Sequence, residues 1–325
     1  MGGGDARNGA AMQLTFLDTA AVRAIYERPF PELAFAAIDA HRAAFDPLAI
    51  QQSTLLSVKT GGCSEDCGYC AQSARRTTHV RPEPLAEIDD VVAAARAAKE
   101  GGATRFCMGA AWRGVKDGAA FERVLEMVRG VNALGMESCV TLGSLQPHQA
   151  QALREAGLHY YNHNLDTSRE YYPEVVSTHG YDDRLATLSH ARDAGLKLCC
   201  GGIIGMGESR EDRIALIAEF AAMERPPESV PVNVLVPIEG TPLAERANFD
   251  PIELARTIAT LRVVLPTSYI RLAAGRSEMS DELQALCFLL GANSMFSGDR
   301  LLTTENAAAD RDADLLAALG MHAAK

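Results

Sequence analysis

Three cysteines lie close together in the segment GGCSEDCGYCAQ. Cys63, Cys67 and Cys70 cannot all pair with one another as disulfides, but three thiolates can bind one metal centre. Iron–sulfur clusters are normally held by four Cys thiolates, and the next cysteine along the chain is Cys107. A four-iron cluster held by only three thiolates keeps one iron open to a substrate or cofactor. The spacing therefore indicates a reaction centre.

Three other interpretations of these cysteines remain open. A structural zinc site needs four ligands; His79 could be the fourth, although no second pair of ligands lies nearby. A disulfide framework is typical of small secreted chains, whereas this chain has 325 residues and 8 Cys. An electron-transfer protein would close its cluster with four Cys and would need no substrate cavity.

Composition limits the classes of protein that fit. A chain of 325 residues allows two average domains or one large α/β barrel. Hydrophobic residues make up 47% and charged residues 22%, as in ordinary globular proteins. The net charge is −11 and no basic patch stands out, which argues against a nucleic-acid partner.

The start of the sequence and its apolar runs predict the compartment and the domain bounds of the protein. No apolar run is long enough to span a membrane, and the start lacks the apolar centre of a secretory signal. Eight Cys without an export signal indicate a reducing compartment, so we predict a cytoplasmic protein. The Gly-rich and polar residues 1–12 predict a disordered tail, and residues 13–325 predict one domain.

Short apolar runs alternate with amphipathic, Ala-rich stretches from residue 55 onward. Helical patterns include DDVVAAARAAKEGG, FERVLEMVRGVNALG, RLATLSHARDAG and EDRIALIAEFAAME. Eight β-then-α units predict an α/β fold of the (β/α)8 TIM-barrel type, with a doubly wound open sheet as the alternative. Residues 18–45 predict helices that precede the barrel. The predicted strands are 55–60, 104–109, 137–141, 160–166, 197–202, 229–237, 269–273 and 293–296.

Strand alternation then predicts which side chains face inward, because successive side chains point to opposite faces. Cys107, Cys139, Cys199 and Arg271 fall on the inward faces of four strands, together with several polar residues. A barrel interior is normally filled by branched apolar side chains, so a polar interior favours a buried cofactor and substrate. The three cysteines indicate a second metal site, with small core residues as the alternative. Cys200 faces the other way and is expected in the core.

The chain resembles the radical S-adenosylmethionine enzymes, and within them the biotin synthase family. The resemblance covers most of the chain from about residue 55. The motif YNHNLDTS, with the three barrel cysteines, is more specific than the cysteine loop alone. The matching segments are SVKTGGCSEDCGYCAQS, RFCMGAAWR, ESCVTLGSL, YYNHNLDTSREYY, GLKLCCGGIIGMGES, VPVNVLVPIEGTPL, IRLAAGRSEM and GANSMFSGDRLLTT.

The resemblance implies roles for individual residues. The first three cysteines would hold a 4Fe-4S cluster whose open iron takes the amino and carboxylate groups of S-adenosyl-L-methionine. Cys107, Cys139, Cys199 and Arg271 would bind a 2Fe-2S cluster deeper in the barrel. The other implied contacts are Tyr69, Ile203 and Val236 beside the adenine, Asn164 and Asp166 at the ribose or substrate, Arg184 at the methionine carboxylate, and Lys59, Asn162 and Asn233 at dethiobiotin.

The resemblance also implies an activity and partners. Cleavage of S-adenosylmethionine would give a 5′-deoxyadenosyl radical that removes hydrogen from dethiobiotin, and a sulfide of the 2Fe-2S cluster would capture the carbon radical. A second round would close the sulfur-containing ring and form biotin. A flavodoxin- or ferredoxin-type electron donor and a homodimer are expected. Lipoyl synthase is the rival within the superfamily, but it carries a further Cys triplet and no Cys precedes Cys63. His163 is expected to face outward in a structural role, and His179 to be a surface or packing residue.

Overall fold

The computed structural model of the protein describes residues 17–246, 249–298, 300–306 and 309–324. The disordered tail predicted for residues 1–12 lies outside the described residues. Two helices, α1 (Thr19–Tyr26) and α2 (Phe30–Ala44), precede the first strand, as the sequence predicts. No helix in the described residues is both long and apolar enough to cross a membrane.

The strands that follow form one ten-stranded sheet in the described part of the chain, and a two-stranded hairpin lies beside it. Their bounds are β1 (Ala49–Lys59), β2 (Arg105–Ala110), β3 (Glu137–Thr141), β4 (Tyr160–Asn162), β5 (Lys197–Cys199), β6 (Gly202–Ile204), β7 (Ser229–Val234), β8 (Tyr269–Leu272), β9 (Ser294–Phe296), β10 (Arg300–Leu301), β11 (Thr304–Glu305) and β12 (His322–Ala323).

The sheet closes into a barrel because β9 pairs with β1. Strands β1, β2, β3, β4, β5, β7, β8 and β9 are parallel neighbours in that order, and Gln51 lies opposite Ser294 where the barrel closes. This confirms the predicted (β/α)8 barrel and excludes the open sheet. Strand β1 begins at Ala49, earlier than predicted, because its first residues pair with β9 and β12.

Helices on the outside connect the strands. Their apolar faces pack on the barrel. Several helices are preceded by a side chain that accepts a hydrogen bond from the first turn, as Ser209 does for the helix that begins at Arg210 and Asp250 for the helix that begins at Pro251. The helices are α3 (Ile88–Glu100), α4 (Ala119–Ala133), α5 (Pro147–Glu155), α6 (Tyr181–Asp193), α7 (Arg210–Ala222), α8 (Pro251–Val264), α9 (Asp281–Leu289) and α10 (Ala309–Ala318).

The fifth barrel strand is interrupted, whereas the sequence predicts it as continuous over 197–202. β5 ends at Cys199 and β6 begins at Gly202. The neighbouring strand β7 comes so close that a Cβ atom built on Gly201 would lie 1.8 Å from the carbonyl oxygen of Pro231. Pro231 also lacks the N–H that a ladder hydrogen bond requires. The break therefore follows from this close approach of β7.

The fourth strand is also shorter than predicted, since β4 ends at Asn162 and not at residue 166. Asp166 adopts a left-handed backbone with φ of 67°, a conformation that non-Gly residues rarely adopt. Its backbone N–H donates to the carbonyl of Gly201 at 3.2 Å. The chain thus turns at the carboxyl end of β4, where α/β barrels carry their active sites.

Candidate active site

A cavity of about 350 Å³ lies inside the barrel and opens at the carboxyl ends of the strands. All but one of the site residues predicted from the sequence line it. The exception is Lys59, whose ammonium group donates to the carbonyl of Gly61. The lining residues are Cys63, Cys67, Cys70, Cys107, Cys139, Cys199, Arg271, Tyr69, Asn164, Asp166, Arg184, Ile203, Val236, Asn162 and Asn233.

The first three cysteines lie on a loop that follows β1, residues 61–71, which we call the thiol loop. The backbone N–H of Cys70 donates to the carbonyl of Cys67 at 3.0 Å, so the loop turns tightly between these two residues. All three thiols are half-buried. Burial raises the pKa of Cys63 and Cys67, and raises that of Cys70 to about 11. Metal binding would therefore have to displace the protons.

A hydrogen bond from the thiol loop and an ion pair from α6 meet on one carboxylate after the end of β4. The Tyr69 hydroxyl donates to Asp166 Oδ2 at 2.7 Å, and Arg184 Nη2 lies 2.8 Å from the same oxygen. Arg184 Nη1 also donates to the carbonyl of Asn164 at 2.6 Å. These four residues, each predicted to meet S-adenosylmethionine, thus hold one another in place.

A second set of contacts, not predicted from the sequence, connects the thiol loop with His179 and Tyr172. Glu65, which lies between Cys63 and Cys67, places Oε2 2.7 Å from His179 Nδ1. His179 Nε2 lies 2.8 Å from the Tyr172 hydroxyl, which accepts a hydrogen bond from Arg184 Nε at 2.5 Å. The expectation that His179 is only a surface or packing residue is therefore wrong. No sequence spacing links Glu65 with His179, because the fold brings them together.

The second group of cysteines lies deeper in the barrel. Cys107 on β2 is the register partner of Cys139 on β3, and Cys199 on β5 is the partner of Asn162 on β4. All three cysteines are buried and belong to one interior cluster with Tyr160. Cys200 lies instead in the main apolar core, which confirms the predicted opposite orientation.

Arg271 extends to the same interior cysteines. Its guanidinium is fully buried: Nε donates to Ser294 Oγ at 2.9 Å, Nη2 to Gln51 Oε1 at 3.2 Å, and Nη1 lies 3.8 Å from Cys199 Sγ. Among the described residues, none of its partners is a carboxylate. A buried cation without an anionic partner is costly, so the site favours an anionic group here.

The lowered pKa values of two interior thiols favour negative charge beside Arg271. Contact with the Cys139 thiol holds the pKa of Cys107 below its ordinary value and that of Cys199 well below it, and the positive charges of Arg271 and Arg105 act in the same direction against burial. Arg105 is itself paired with Glu137 at 2.8 Å. Three thiols beside a guanidinium that has no carboxylate partner among the described residues are a donor set that fits an iron–sulfur cluster.

A single zinc ion is an alternative interpretation of the loop cysteines. Within the residues that the structure describes, no three or more His, Cys, Asp or Glu side chains are grouped as ligands of one ion. A 4Fe-4S cluster on the loop would differ, because each of its three thiolates would bind a different iron. The assignment of the cysteines to clusters stays a prediction.

The amides predicted to contact substrate lie between the two cysteine groups. Asn162 Oδ1 accepts from Thr141 Oγ1 at 2.9 Å, and Asn162 Nδ2 donates to the carbonyl of Cys199 at 3.1 Å. Asn233 Nδ2 donates to the carbonyl of Gly202 at 3.1 Å. These contacts fix the amides at the cavity wall, where they are positioned to meet a polar ligand.

Two further residue groups border the cavity. His163, expected to face outward in a structural role, is buried, and its ring centroid lies 6.5 Å from that of Tyr161, a residue of the main apolar core; it also borders the cavity. Burial, with the positive charge of Arg184, lowers its pKa well below the ordinary value. The hairpin of β10 and β11 also contributes Leu301, Leu302 and Thr303 to the cavity wall. The motif GANSMFSGDRLLTT contains these residues, but it gave no signal of their position.

Comparison with protein families identifies two matching segments. The Radical SAM superfamily matches residues 57–221, and the Biotin and Thiamin Synthesis associated domain matches residues 231–322. These ranges cover the thiol loop, the interior cysteines and the hairpin over the cavity.

Solved structures share the fold at low sequence identity. A crystal structure of methylornithine synthase superposes with a TM-score of 0.78 at 19% identity, covering 96% of this chain and 95% of that one. The FeFe-hydrogenase maturase from Carboxydothermus hydrogenoformans superposes with a TM-score of 0.76 at 17% identity, covering 95% of this chain and 76% of that one. At this low identity, these similarities support the barrel fold and carry no argument about function.

Curated relatives are far more similar. The chain is 61% identical over 302 residues to a biotin synthase from Dechloromonas aromatica (strain RCB), covering 93% of this chain and 92% of the relative. It is 60% identical over 304 residues to a biotin synthase from Burkholderia pseudomallei (strain 1710b), covering 94% of this chain and 90% of the relative. The chain therefore belongs to the biotin synthase family, within the radical S-adenosylmethionine superfamily.

Proposed function

We propose that this enzyme inserts sulfur into dethiobiotin to form biotin, the last step of biotin biosynthesis, in a reaction driven by S-adenosylmethionine. The observation that carries the proposal is the presence of two separate cysteine triads along one cavity. One triad lies on a loop at the mouth, and the other lies inside the barrel beside a buried arginine. An electron-transfer protein would need neither the second triad nor the cavity.

The thiol loop is proposed to hold a 4Fe-4S cluster through Cys63, Cys67 and Cys70. The interior site is proposed to hold a 2Fe-2S cluster through Cys107, Cys139, Cys199 and Arg271. When bound, the first cluster supplies the electron that splits S-adenosylmethionine into methionine and a 5′-deoxyadenosyl radical, and the second supplies the sulfur that enters biotin. The protein contributes binding, orientation and exclusion of side reactions.

Residues near the mouth are proposed to bind S-adenosylmethionine. Arg184 carries the positive charge for its carboxylate and is held by Asp166 at 2.8 Å. Asn164 is held by the N–H of Gly201 at 3.1 Å and would present its amide to the ribose. Tyr69, Ile203 and Val236 line the cavity and would border the adenine. Most of these groups are already ordered by hydrogen bonds, so little side-chain freedom would be lost on binding.

Dethiobiotin is proposed to lie between the two cysteine groups. Asn162 and Asn233 would bind its polar ring through amide groups that the protein already orients. Lys59 would reach it only after its ammonium leaves the carbonyl of Gly61. A closed barrel, with Leu301 buried over the interior cysteines, keeps water and stray hydrogen donors from the reacting carbon.

The remaining expectations rest on the family resemblance and on two observations. Strands from both matched family segments close one barrel, which supports a single domain over residues 13–325. All eight cysteines are free, which supports a reducing compartment and hence the cytoplasm. A flavodoxin- or ferredoxin-type donor and a homodimer are proposed by resemblance.

Anaerobic reconstitution with iron and sulfide tests the function. The protein should gain iron beyond one four-iron cluster. With S-adenosylmethionine, dithionite and dethiobiotin it should form 5′-deoxyadenosine and biotin. Formation of 5′-deoxyadenosine without biotin would contradict the proposed substrate, and formation of neither would contradict radical chemistry.

A further inference from the structure

The guanidinium of Arg271 is held along one edge by neutral side chains. The atoms Nε and Nη2 share that edge: Nε donates to Ser294 Oγ at 2.9 Å, and Nη2 donates to Gln51 Oε1 at 3.2 Å. Ser294 Oγ in turn donates to Gln51 Oε1 at 2.6 Å. The three side chains therefore form a closed triangle of hydrogen bonds, and two of these bonds end on the amide oxygen of Gln51.

The register of the sheet places these three residues at one level of the barrel. Ser294 on β9 is the register partner of Gln51 on β1 and also of Arg271 on β8. All three residues are buried. Because β9 pairs with both neighbouring strands here, the backbone fixes the triangle from both sides.

The contacts of Gln51 fix the orientation of its amide group. Nε2 donates to the carbonyl of Gln52 at 3.2 Å and to Thr104 Oγ1 at 3.0 Å, and Oε1 accepts a further bond from Ser53 Oγ at 3.2 Å. A carbonyl can only accept and a guanidinium can only donate. The amide nitrogen must therefore face Gln52, and the amide oxygen must face Arg271.

A second buried arginine near the interior cysteines is held by a charged group instead. Arg105 uses the same edge of its guanidinium: Nε and Nη2 donate to Glu137 Oε2 at 3.0 and 2.8 Å. Glu137 thus balances the charge of Arg105, whereas Arg271 meets a hydroxyl and an amide at that edge. The same hydrogen-bond geometry is built with a carboxylate at one arginine and with neutral groups at the other.

The remaining end of the Arg271 guanidinium faces the interior cysteines. Nη1 lies 3.8 Å from Cys199 Sγ, and the guanidinium carbon lies 4.8 Å from the ring centroid of Phe296. A buried cation without an anionic partner is costly, so the neutral edge leaves the charge to be balanced at Nη1. A carboxylate in place of Gln51 would balance that charge at the opposite edge.

We propose that Gln51 is a positioning residue for the interior cluster: its neutral amide orients Arg271 and leaves the guanidinium charge to the cluster. The inference rests on the proposed function, since it requires a 2Fe-2S cluster at the interior cysteines. Reduction potentials of iron–sulfur clusters depend on the net charge and the hydrogen bonds around them. Negative charge at position 51 would therefore make the cluster harder to reduce, and loss of the amide would hold Arg271 less firmly.

Two substitutions at position 51 separate charge from orientation. Gln51→Glu keeps an acceptor oxygen for Arg271 but adds a negative charge, whereas Gln51→Met is similar in size and removes the hydrogen bonds without adding charge. The matched control is Gln284→Glu. Gln284 is also buried and its Oε1 accepts from Arg276 Nη1 at 3.0 Å, but Arg276 already pairs with Asp312 at 2.6 Å.

The full-length proteins are reconstituted anaerobically with iron and sulfide, and circular dichroism and thermal melting check their folding. Spectroelectrochemical titration gives the midpoint potential of the interior cluster. Absorbance after addition of a chelator gives the rate at which this cluster is lost.

We expect Gln51→Glu to lower the midpoint potential of the interior cluster by about 59 mV, which corresponds to a tenfold change in a one-electron equilibrium. Gln51→Met should shift the potential less, but it should accelerate loss of the cluster to the chelator about tenfold, as for other residues that orient metal ligands. Gln284→Glu should match the parent protein in both measurements.

A parent-like potential in a folded Gln51→Glu protein would overturn the role of Gln51, as would a parent-like rate of cluster loss in Gln51→Met. An equal shift in potential with Gln284→Glu would overturn it as well. If Gln51→Glu did not fold, the rate of cluster loss from Gln51→Met would decide the outcome by itself. A parent protein that takes up no second cluster would instead overturn the proposed function.

Discussion

The two cysteine triads are built in opposite ways. Cys63, Cys67 and Cys70 come from one short segment on a half-exposed loop, whereas Cys107, Cys139 and Cys199 come from three strands far apart in sequence. The register of the sheet fixes the interior cysteines, so their positions follow from the fold itself. The loop cysteines need contacts from outside the loop to hold them.

Those contacts are polar and reach the loop at two points. Glu65 is held by His179 at 2.7 Å, and Tyr69 is held by Asp166 at 2.7 Å. Both chains of contacts meet at Arg184, which bonds to Tyr172 and Asp166. Sites on strands are generally held more precisely than sites on loops, so the loop site depends on a supporting network of this kind.

The pKa values of the thiols also differ between the two sites. Burial raises the pKa of the loop thiols, whereas the contact with Cys139 and the charge of Arg271 lower that of Cys199. Two of the interior thiols, Cys107 and Cys199, thus favour the thiolate before any metal binds, whereas contact with those two raises the pKa of Cys139 well above its ordinary value. The loop site depends on the metal to remove its protons.

The largest effect should come from removing a loop ligand. Cys63→Ala, Cys67→Ala or Cys70→Ala should each abolish cleavage of S-adenosylmethionine, because no other cysteine lies on the loop. Cys287→Ala is the matched control, since Cys287 is buried in the main core. Production of 5′-deoxyadenosine is the measurement. Retained cleavage in any of the three loop variants would contradict the assignment.

Removing an interior ligand should separate the two halves of the reaction. Cys107→Ser should keep the loop cluster and still form some 5′-deoxyadenosine, because its position is remote from the thiol loop. It should form little or no biotin, because the interior cluster is damaged. Both products are measured in one assay, and circular dichroism and thermal melting check folding, since a buried hydroxyl without a partner costs about 1–3 kcal/mol. Biotin formation at the parent rate by a well-folded variant would refute the role of Cys107.

The interior site could be predicted from sequence because strand alternation is a local rule. Alternation alone put Cys199 inward and Cys200 outward, and the structure confirms both. The same rule did not reveal the break after Cys199, because that break depends on the approach of Pro231 from the next strand.

The support of the loop site could not be predicted in this way. Glu65 and His179 are far apart in sequence, and neither lies in a spacing that has chemical meaning. The left-handed backbone of Asp166, with φ of 67°, was also unexpected, because that conformation is rare for a residue other than Gly. Contacts of this kind depend on tertiary structure, so only a structure could identify them.

An intermediate effect should come from weakening the support of the loop. His179→Phe removes the link between Glu65 and Tyr172, whose contacts measure 2.7 and 2.8 Å. Loss of residues that orient metal ligands typically costs about 10–100-fold in metal affinity or activity, so loss of iron from the loop to a chelator should accelerate about tenfold. The absorbance of the interior cluster should stay unchanged. His148→Phe is the control, because His148 is exposed and, in the described part of the chain, its side chain pairs only with surface residue Asp117. Equal loss of both clusters would show that His179 supports the fold in general.

The smallest effect should come from a cysteine that adjoins the interior site but points away from it. Cys200 follows Cys199 directly, is fully buried and packs in the main apolar core. Cys200→Ser should therefore keep the absorbance of the interior cluster and the formation of biotin, while its hydroxyl in apolar surroundings lowers stability by about 1–3 kcal/mol.

Cys199→Ser is the matched variant and should lose the interior cluster, because it changes a proposed ligand. Spectra of both proteins after anaerobic reconstitution give the comparison, and thermal melting separates lost stability from lost ligation. Cys200→Ala refines it further, since it removes the sulfur without adding a polar group and should melt closer to the parent than Cys200→Ser. Equal loss of cluster absorbance in Cys199→Ser and Cys200→Ser would mean that the sheet register does not define the ligands. The contrast between a site fixed by strands and a site fixed by loop contacts would then fail.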